Sequence, residues 1–543
     1  MTRSQSSASS EPLSLSALRP ADATVAYRFP AARADEVWRR LAERLLVLEE
    51  ALASERFVLD TFDRLLAADG WRLEMRSETS GSRLEASSVD GGVHRSVATE
   101  NAPRDASDLP SGEVWRQLAE RVAPRRLLVW ARVERRAVVL RVLDDERKTV
   151  ARIWRLETRA SLPPELATLL GRSATEVDLE PRLELRPVRG YGDELDSVRA
   201  VLAELELEPA PADPAATALE ALDLPHATSE TAVVDPHQTA ADATRSVLRA
   251  QLATLRAQEI GTRLDIDSEF LHDFRVAIRR TRSILGQIRG VFAPDLVEHF
   301  KSEWRWLGQA TGPTRDLDVY LLKMPSYRRA LPPEAQDALD PLETYLRRRQ
   351  REEQEKVRAV LESSRYRRLL EDWARWLGAP ESERDAEDGG ENAPPNADRP
   401  AREVVARRIW KLYRRLLRDG GAIDDETPDE AVHDLRILAK KLRYTMELFR
   451  DLFPAAKLDA AVRDLKRLQR NLGDFNDYSV QRESLRRMAL ELEGAPPETL
   501  LAMGQLLAGL ERGQAEERRA VEKRVAVFST PRRRRRYRAL FGP

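Results

Sequence analysis

LHDFRVAIRRTRSILGQIRGVF, residues 271–292, recurs without a gap as VHDLRILAKKLRYTMELFRDLF, residues 432–453. The offset holds beyond these segments: His272 and His433, Gly312 and Gly473, and Asp316 and Asp477 are each 161 residues apart. At about 100° per residue, Arg275, Arg279 and Arg282 fall about 300°, 340° and 280° from His272, so the four share one helix face. Phe274, Ile278, Thr281, Leu285 and Ile288 take the opposite, core-facing side. The second copy sets His433, Arg436, Lys440 and Arg443 against Leu435, Ala439, Leu442, Met446 and Phe449. Each stripe covers about 15 Å of helix axis with cations about 5 Å apart, which suits an extended chain of phosphates better than one compact anion. A duplicated stripe predicts two cationic walls facing one anionic ligand.

A charged outer face is also what an amphipathic helix presents to solvent. Three features favour the anion site. The stripes lack the acidic residues at i±4 that lace a merely solvated helix. They recur in the same register, and a third helix, ARRIWKLYRRLLRDG, repeats the spacing with Arg408, Lys411, Arg415 and Arg418. The second segment of the repeat runs from Lys301 to Val319 and from Val462 to Val480. There Arg463, Lys466 and Arg470 form another basic face, which the first copy answers with Ser302, Arg305 and Gln309. The second wall is therefore expected to hold an anion more tightly.

GPTRDLDV (312–319) and GDFNDYSV (473–480) read as a glycine helix stop followed by an aspartate cap. A carboxylate metal site from Asp316, Asp318 and Asp477 is the weaker reading, because Asp318 is matched by Ser479. His272 and His433 are the repeat-matched histidines among six, and with no cysteine and no i, i+4 histidine pair they do not form a zinc site. Two roles stay open for them: protonated phosphate donors, or helix-start residues bonded to nearby backbone. No catalytic residue, metal or cofactor is expected.

The 543 residues suffice for two or three domains. Lys plus Arg (90) nearly cancels Asp plus Glu (91), so local clusters carry more information than net charge. The absence of cysteine excludes disulfides and suits a reducing compartment. No stretch approaches the roughly 20 apolar residues of a membrane span, and the N-terminus carries no signal-like apolar run. A soluble, cytoplasmic protein with no membrane partner is expected.

Residues 1–22 are Ser-rich and read as disordered. Residues 23–208 mix strand and helix: RLLVWARV (126–133), RAVVLRVLDD (136–145) and TVARIWRLET (149–158) alternate as strands, while ADEVWRRLAERLLVLEEAL and GDELDSVRAVLAELEL read as helices. A Pro/Ala-rich linker is assigned to 209–238, and 239–543 is all-α. Within it, repeat one covers about 239–378, an acidic linker 379–400, repeat two about 401–530 and a basic, solvated tail 531–543. The fold class is thus multidomain: an α+β N-terminal half and an all-α C-terminal half of two pseudo-symmetric helical bundles.

HDFRVAIRRTRS, WRWLGQATGPTRDLDVYL, HDLRILAKKLRYTMELF and LKRLQRNLGDFNDYS resemble the CHAD family, the conserved-histidine α-helical domain, over about 237–543. The resemblance implies two helical bundles around a basic cleft that binds inorganic polyphosphate. Its His and basic positions map onto His272, Arg275, Arg279 and Arg282 and onto His433, Arg436, Lys440 and Arg443. The N-terminal half resembles a CYTH domain, the triphosphate-tunnel barrel, through FVLDTFDRLLAADGWRLEMR (57–76) and RPVRGYGDELDSVRAVLAELEL. That family's metal-holding E-x-E-x-K strand is replaced here by Thr24-Val25-Ala26-Tyr27-Arg28, and Glu74 stands where an inward Arg is expected, with Arg76 retained. Glu157, Asp178, Glu180 and Glu184 remain as carboxylates on presumed strands. A degenerate, tunnel-like antiparallel barrel follows from the resemblance.

The expected function is non-enzymatic binding of inorganic polyphosphate, in the cytoplasm and on polyphosphate granules. Its site residues are His272, Arg275, Arg279, Arg282, Arg305, Arg408, Lys411, Arg415, His433, Arg436, Lys440, Arg443, Arg463, Lys466 and Arg470. A metal-dependent triphosphatase or polyphosphatase in the N-terminal half is the first alternative. A nucleic-acid binder is the second, weakened by the lack of aromatic residues interleaved with the stripe, so nucleic acid is expected only as a nonspecific partner.

Overall fold

The computed structural model describes residues 25–45, 47–78, 81–90, 92–188, 192–210, 214–224, 234–378, 394–424 and 426–542. The chain divides into two compact units, Met1–Ser229 and Glu230–Pro543. The Ser-rich segment 1–22 and residues 379–393 of the acidic linker lie outside the described residues.

The first unit opens with β1 (Val25–Arg28), α1 (Ala34–Arg44), β2 (Val47–Thr61), α2 (Leu65–Ala68), β3 (Trp71–Glu78), β4 (Gly81–Ser88) and β5 (His94–Thr99). It continues with α3 (Glu113–Val122), β6 (Leu127–Leu143), β7 (Thr149–Ser161), α4 (Pro164–Leu169), β8 (Glu176–Asp178), β9 (Arg182–Pro187), α5 (Gly192–Ala203), β10 (Glu208–Pro209) and α6 (Pro214–Ala221). All ladders are antiparallel, in the order β10-β1-β9-β7-β6-β2-β3-β4-β5, with β8 beside β7. No ladder joins β5 to β10 among the described residues, so the sheet is open rather than a closed barrel.

Three local expectations are corrected here. The helix read through Leu52 stops at Arg44, where Leu45 turns extended, because Val47–Thr61 pairs with β6 along its whole length. A continuous ladder outweighs the helical propensity of Leu48, Glu49 and Glu50. The two strands expected at 126–133 and 136–145 are one 17-residue strand. Within the stretch assigned as a linker, Pro214–Ala221 is helical, and Ala218, Leu219 and Leu222 are buried where α6 packs on β6 and β7.

Directly opposed residues of antiparallel strands share a face. One face of this sheet is apolar where the helices cover it. Leu140, Val142, Ile153, Leu183 and Leu185 pack under Val37, Leu41, Val198 and Leu202 of α1 and α5. Leu59, Leu73 and Leu84 pack under Trp115 and Leu118 of α3. The other face carries Arg56, Arg76, Arg135, Arg182 and Arg186 among Glu74, Glu85 and Glu184, with an apolar patch of Ala137, Val139, Trp154 and Leu156.

The second unit is helical: α7 (Ala240–Leu264), α8 (Ser268–Gln287), α9 (Pro294–Ala310), α10 (Gly312–Arg329), α11 (Asp340–Glu362) and α12 (Ser364–Gly378). After the undescribed segment come α13 (Ala401–Gly420), α14 (Asp429–Leu448), α15 (Ala455–Glu491), α16 (Pro497–Phe528) and α17 (Pro531–Phe541). The repeated segments form α8 and α14, which pack against each other. Asp267 caps α8 by accepting from the Glu269 amide at 2.9 Å. Gly261 lets α7 approach α8 closely, since a Cβ there would meet the Phe270 ring at 2.2 Å.

The two pseudo-symmetric helical copies share their cores. Phe274, Ile278 and Trp304 of the first copy share one core with Leu435, Met446 and Leu465 of the second. A second cluster likewise joins Tyr320, Met324 and Leu346 to Leu485, Met503 and Leu506. The expected glycine stops and aspartate caps are also corrected. α15 runs unbroken through Gly473 and Asp477, and Asp316 lies inside α10. The first copy breaks at Thr311 because Pro313 sits in the first turn of α10, where the second copy has Asp474. The basic tail is not a solvated end. Its helix buries Tyr537, Leu540 and Phe541, with the Tyr537 ring stacked on Tyr413 at 3.9 Å. The last residues of the acidic linker are tied down too, for Asn396 donates to the Gly290 carbonyl at 2.7 Å and Arg399 accepts from the Ala240 amide at 2.8 Å.

Candidate anion-binding cleft

The amphipathic pattern that buries Phe274 and Ile278, and Leu435 and Ala439, turns both basic stripes toward one cleft of about 870 Å³. α8 supplies Arg275, Arg279 and Arg282, the segment after it Arg289, and α9 Lys301 and Arg305. α14 faces them with His433, Arg436, Lys440 and Lys441. Among the described residues lining the cleft there are nine Lys or Arg and no Asp or Glu. This composition is the central observation on the site, because like charges brought together at low dielectric repel unless a counter-ion joins them.

The protein holds part of this array in place. Arg275 Nη1 donates to the Gly308 carbonyl at 2.6 Å and to Thr311 Oγ1 at 2.9 Å, fixing it to the end of α9. Its counterpart Arg436 reaches Asp477 at 3.3 Å. Arg279 crosses between the repeats, donating from Nε to Tyr444 Oη at 2.9 Å with its guanidinium 5.8 Å from the ring centre. His433 Nδ1 lies 2.5 Å from Asn476 Oδ1 and, as that oxygen can only accept, carries the proton. Nε2 is thus the ring nitrogen left for a ligand.

The electrostatics record the crowding. Burial pushes the Lys440 ammonium down to about 8, with Arg436 and Arg279 adding repulsion and Asp477 opposing it. Burial likewise lowers Arg282, with Arg305 adding to the effect. For Lys441, burial and then Arg415 and Arg408 act in the same sense. Arg408 lies near this rim. It is hydrogen-bonded to the cleft residue Gln287, and burial with Arg289 and Arg415 lowers it as well.

Of the expected site residues, Arg275, Arg279, Arg282, Arg305, His433, Arg436 and Lys440 come together in the cleft. His272 is not among the lining residues; burial and then Arg315 lower its pKa. Arg443 lies 3.8 Å from Glu447, one turn further on, which qualifies the reading of a stripe without acidic partners. Lys466 pairs with the same Glu447 at 3.1 Å, and Arg415 pairs with Asp419 at 3.0 Å. Arg463, Arg470 and Lys411 are exposed outside the cleft lining. The surplus of cations on α15 therefore does not enlarge the second wall.

Sequence reasoning missed Arg289, Lys301, Lys441 and Tyr444. Arg289 continues the first stripe seven residues beyond Arg282, a signal that was available. Tyr444 occupies the position of Ser283 in the other copy, and both line the cleft. Beside the cleft, and sharing Arg436 with it, lies a groove of about 740 Å³ with mixed charge, including Asp316, Lys323, Asp477 and Arg487. Among the described residues, no group of three or more His, Cys, Asp or Glu is placed to hold a metal ion, and no helix is long and apolar enough to cross a membrane.

Two tandem helical copies that share a core and oppose basic stripes define a duplicated all-α module. Residues 246–486 match the family model of the CHAD domain, and the helical unit of this chain contains that domain. The chain is 30% identical over 276 residues to two uncharacterized proteins of Mycobacterium tuberculosis, MT2285 and Rv2226. The match takes 50% of this chain and 50% of each of theirs, so the chain spans about half the length of these curated relatives. The crystal structure of the CHAD domain from the plant Ricinus communis is similar at 22% identity and a TM-score of 0.45, covering 55% of this chain and 95% of that one.

Proposed function

We propose that this protein binds inorganic polyphosphate in the cleft between α8 and α14, without catalysing its turnover. The observation that carries this reading is the nine cations with no carboxylate among the described lining residues. Such an array is destabilised by its own repulsion and stabilised by a ligand that brings many charges in a row. Arginine forks and lysine ammonium groups give charge-assisted hydrogen bonds to phosphate oxygens, and His433 adds a donor when protonated. The match of residues 246–486 to the CHAD family model supports polyphosphate over other polyanions, and a granule-associated, cytoplasmic role follows from that ligand. The degenerate N-terminal unit then serves a role other than hydrolysis.

The test is a charge-reversal set, Arg275→Glu, Arg279→Glu, Arg436→Glu and Lys440→Glu, in the full chain. Binding of labelled polyphosphate should be lost while far-UV circular dichroism stays unchanged. Retained binding overturns the cleft. Unlabelled DNA should compete less well than unlabelled polyphosphate, and tripolyphosphate with Mg²⁺ or Mn²⁺ should yield no metal-dependent phosphate release.

A further inference from the structure

The first copy buries a carboxylate that the cleft does not use. Asp318 of α10 is 5% exposed, and among the described residues no cation pairs with it. Gln350 of α11, also buried, donates to its Oδ1 at 3.2 Å. The same amide nitrogen lies 3.1 Å and 3.4 Å from the two oxygens of Asp265. One neutral donor thus serves two carboxylates. A carboxylate withdrawn from water beside a second negative charge, with an amide in place of a counter-ion, favours its protonated form. Burial pushes Asp318 up to about 7, Asp265 adds repulsion, Arg315 and the Gln350 bond oppose the rise, and Glu269 adds to it.

These groups meet at the corner from which the stripe helix departs. Asp265 closes α7 in a left-handed conformation, φ 52°, and Asp267 caps α8 two residues later. α10 grips this corner twice. Arg315 donates to the Ser268 carbonyl at 2.8 Å and to Glu269 at 3.3 Å. Three residues further along α10, Asp318 reaches Asp265 through Gln350. The first grip pairs opposite charges, whereas the second depends on whether Asp318 holds a proton. Two more charged groups face the cluster: Arg358 of α11 acts on Asp265, and His272 of α8 faces Arg315. The second copy lacks the arrangement, for Arg315 and Asp318 are answered by Asn476 and Ser479.

We infer that Asp318, Gln350 and Asp265 form a proton-operated latch that fixes the α7–α8 corner to α10 and α11. With Asp318 protonated, a single negative charge faces the amide and the latch is closed. With both carboxylates charged, repulsion across the amide weakens it, and the first turn of α8, which leads to Arg275, is held by Arg315 alone. Opening hydrates both groups, and a hydrated aspartate titrates near about 3.9. Between there and about 7 the closed corner binds more protons than the open one, so each rise in pH favours opening. Above about 7 neither state holds the proton and the dependence ends. His272 acts in the opposite sense, because burial and then Arg315 lower its folded pKa. The latch stands whether or not the cleft holds polyphosphate.

Hydrogen exchange of the full chain between pH 5 and pH 8, corrected for the intrinsic rate, is the test. Protection of the corner, residues 264–272, should fall about tenfold or more from pH 5 to pH 7 and then level off. Residues 432–440 of the second copy should not follow. Asp318→Asn, a neutral isostere of the protonated acid, should hold the fall to within about threefold and protect the corner better than the parent at pH 7.5. Asp265→Asn suits the left-handed backbone and should also flatten the profile, which keeps the test decisive if one variant folds poorly. A profile unchanged in both variants overturns the latch. Protection at pH 7.5 that Ca²⁺ or Mg²⁺ raises in the parent but not in Asp318→Asn also overturns it, by assigning the pair to a metal ion.

Discussion

At the residue scale, Lys440 is the most informative group in the cleft. Its ammonium is held down at about 8 by burial and by Arg436 and Arg279. In the free folded protein it therefore loses its proton as pH rises through about 8, whereas an unfolded lysine keeps it to about 10.4. Between those values the unfolded chain binds more protons, so this group makes the fold more stable as pH rises, and its penalty is fully present below 8. Ligand binding reverses the preference, since phosphate favours the ammonium. Polyphosphate affinity should fall about tenfold as pH rises from 7 to 9, with proton uptake detectable by titration in buffers of different ionisation enthalpy. Lys440→Arg should flatten the profile while keeping affinity at pH 7, because a guanidinium stays charged throughout.

At the element scale, the C-terminal helix is structural despite its composition. Arg533 and Arg536 pair with Asp464, the latter at 2.7 Å, while Tyr537 stacks on Tyr413 and donates to the Ala461 carbonyl at 3.2 Å. Tyr537→Ala should cost about 3–5 kcal/mol in a chemical denaturation series, in the range for deleting a large buried aromatic side chain. The run of arginines hid this role, because five consecutive cations read as solvated and the anchoring residues follow them. Similar reasoning explains what was legible elsewhere. The duplication followed from the constant 161-residue offset, and the core faces of α8 and α14 and seven of the cleft residues followed from that offset together with helical periodicity. Periodicity within one helix could not show that Lys466 turns to Glu447, nor that Arg289 and Lys301 reach the same space as Lys440. Those facts depend on how helices cross. Pro313 could have revealed that the copies break differently, since proline in a first turn marks a fresh start, yet the matching glycines suggested symmetry. In the N-terminal half, alternation gave the strands but missed that β2 begins where α1 was expected to continue, because partner strands decide such contests.

At the scale of the whole molecule, the division into two units predicts that residues 230–543 bind polyphosphate without the N-terminal sheet, with affinity within about threefold of the full chain. Binding should weaken steeply with salt. A flexible single-stranded polyanion releases about 0.7 counter-ion per phosphate neutralised, so engagement of six to nine cations gives a log–log slope of about −4 to −6. A slope near −1 would mean that a single contact dominates.

The Arg279–Tyr444 bond spans two copies of one ancestral helix that now belong to the same polypeptide. A site assembled from two separate chains would dilute away at low concentration, and identical chains would have to change both walls together. Tandem fusion removes both constraints. The opposing walls stay at a fixed, high effective molarity however scarce the protein is. Each copy is also free to drift alone, as the exchange of Ser283 for Tyr444 and of Arg279 for Lys440 already records. An asymmetric groove of this kind can give a symmetric, featureless chain two distinguishable sides.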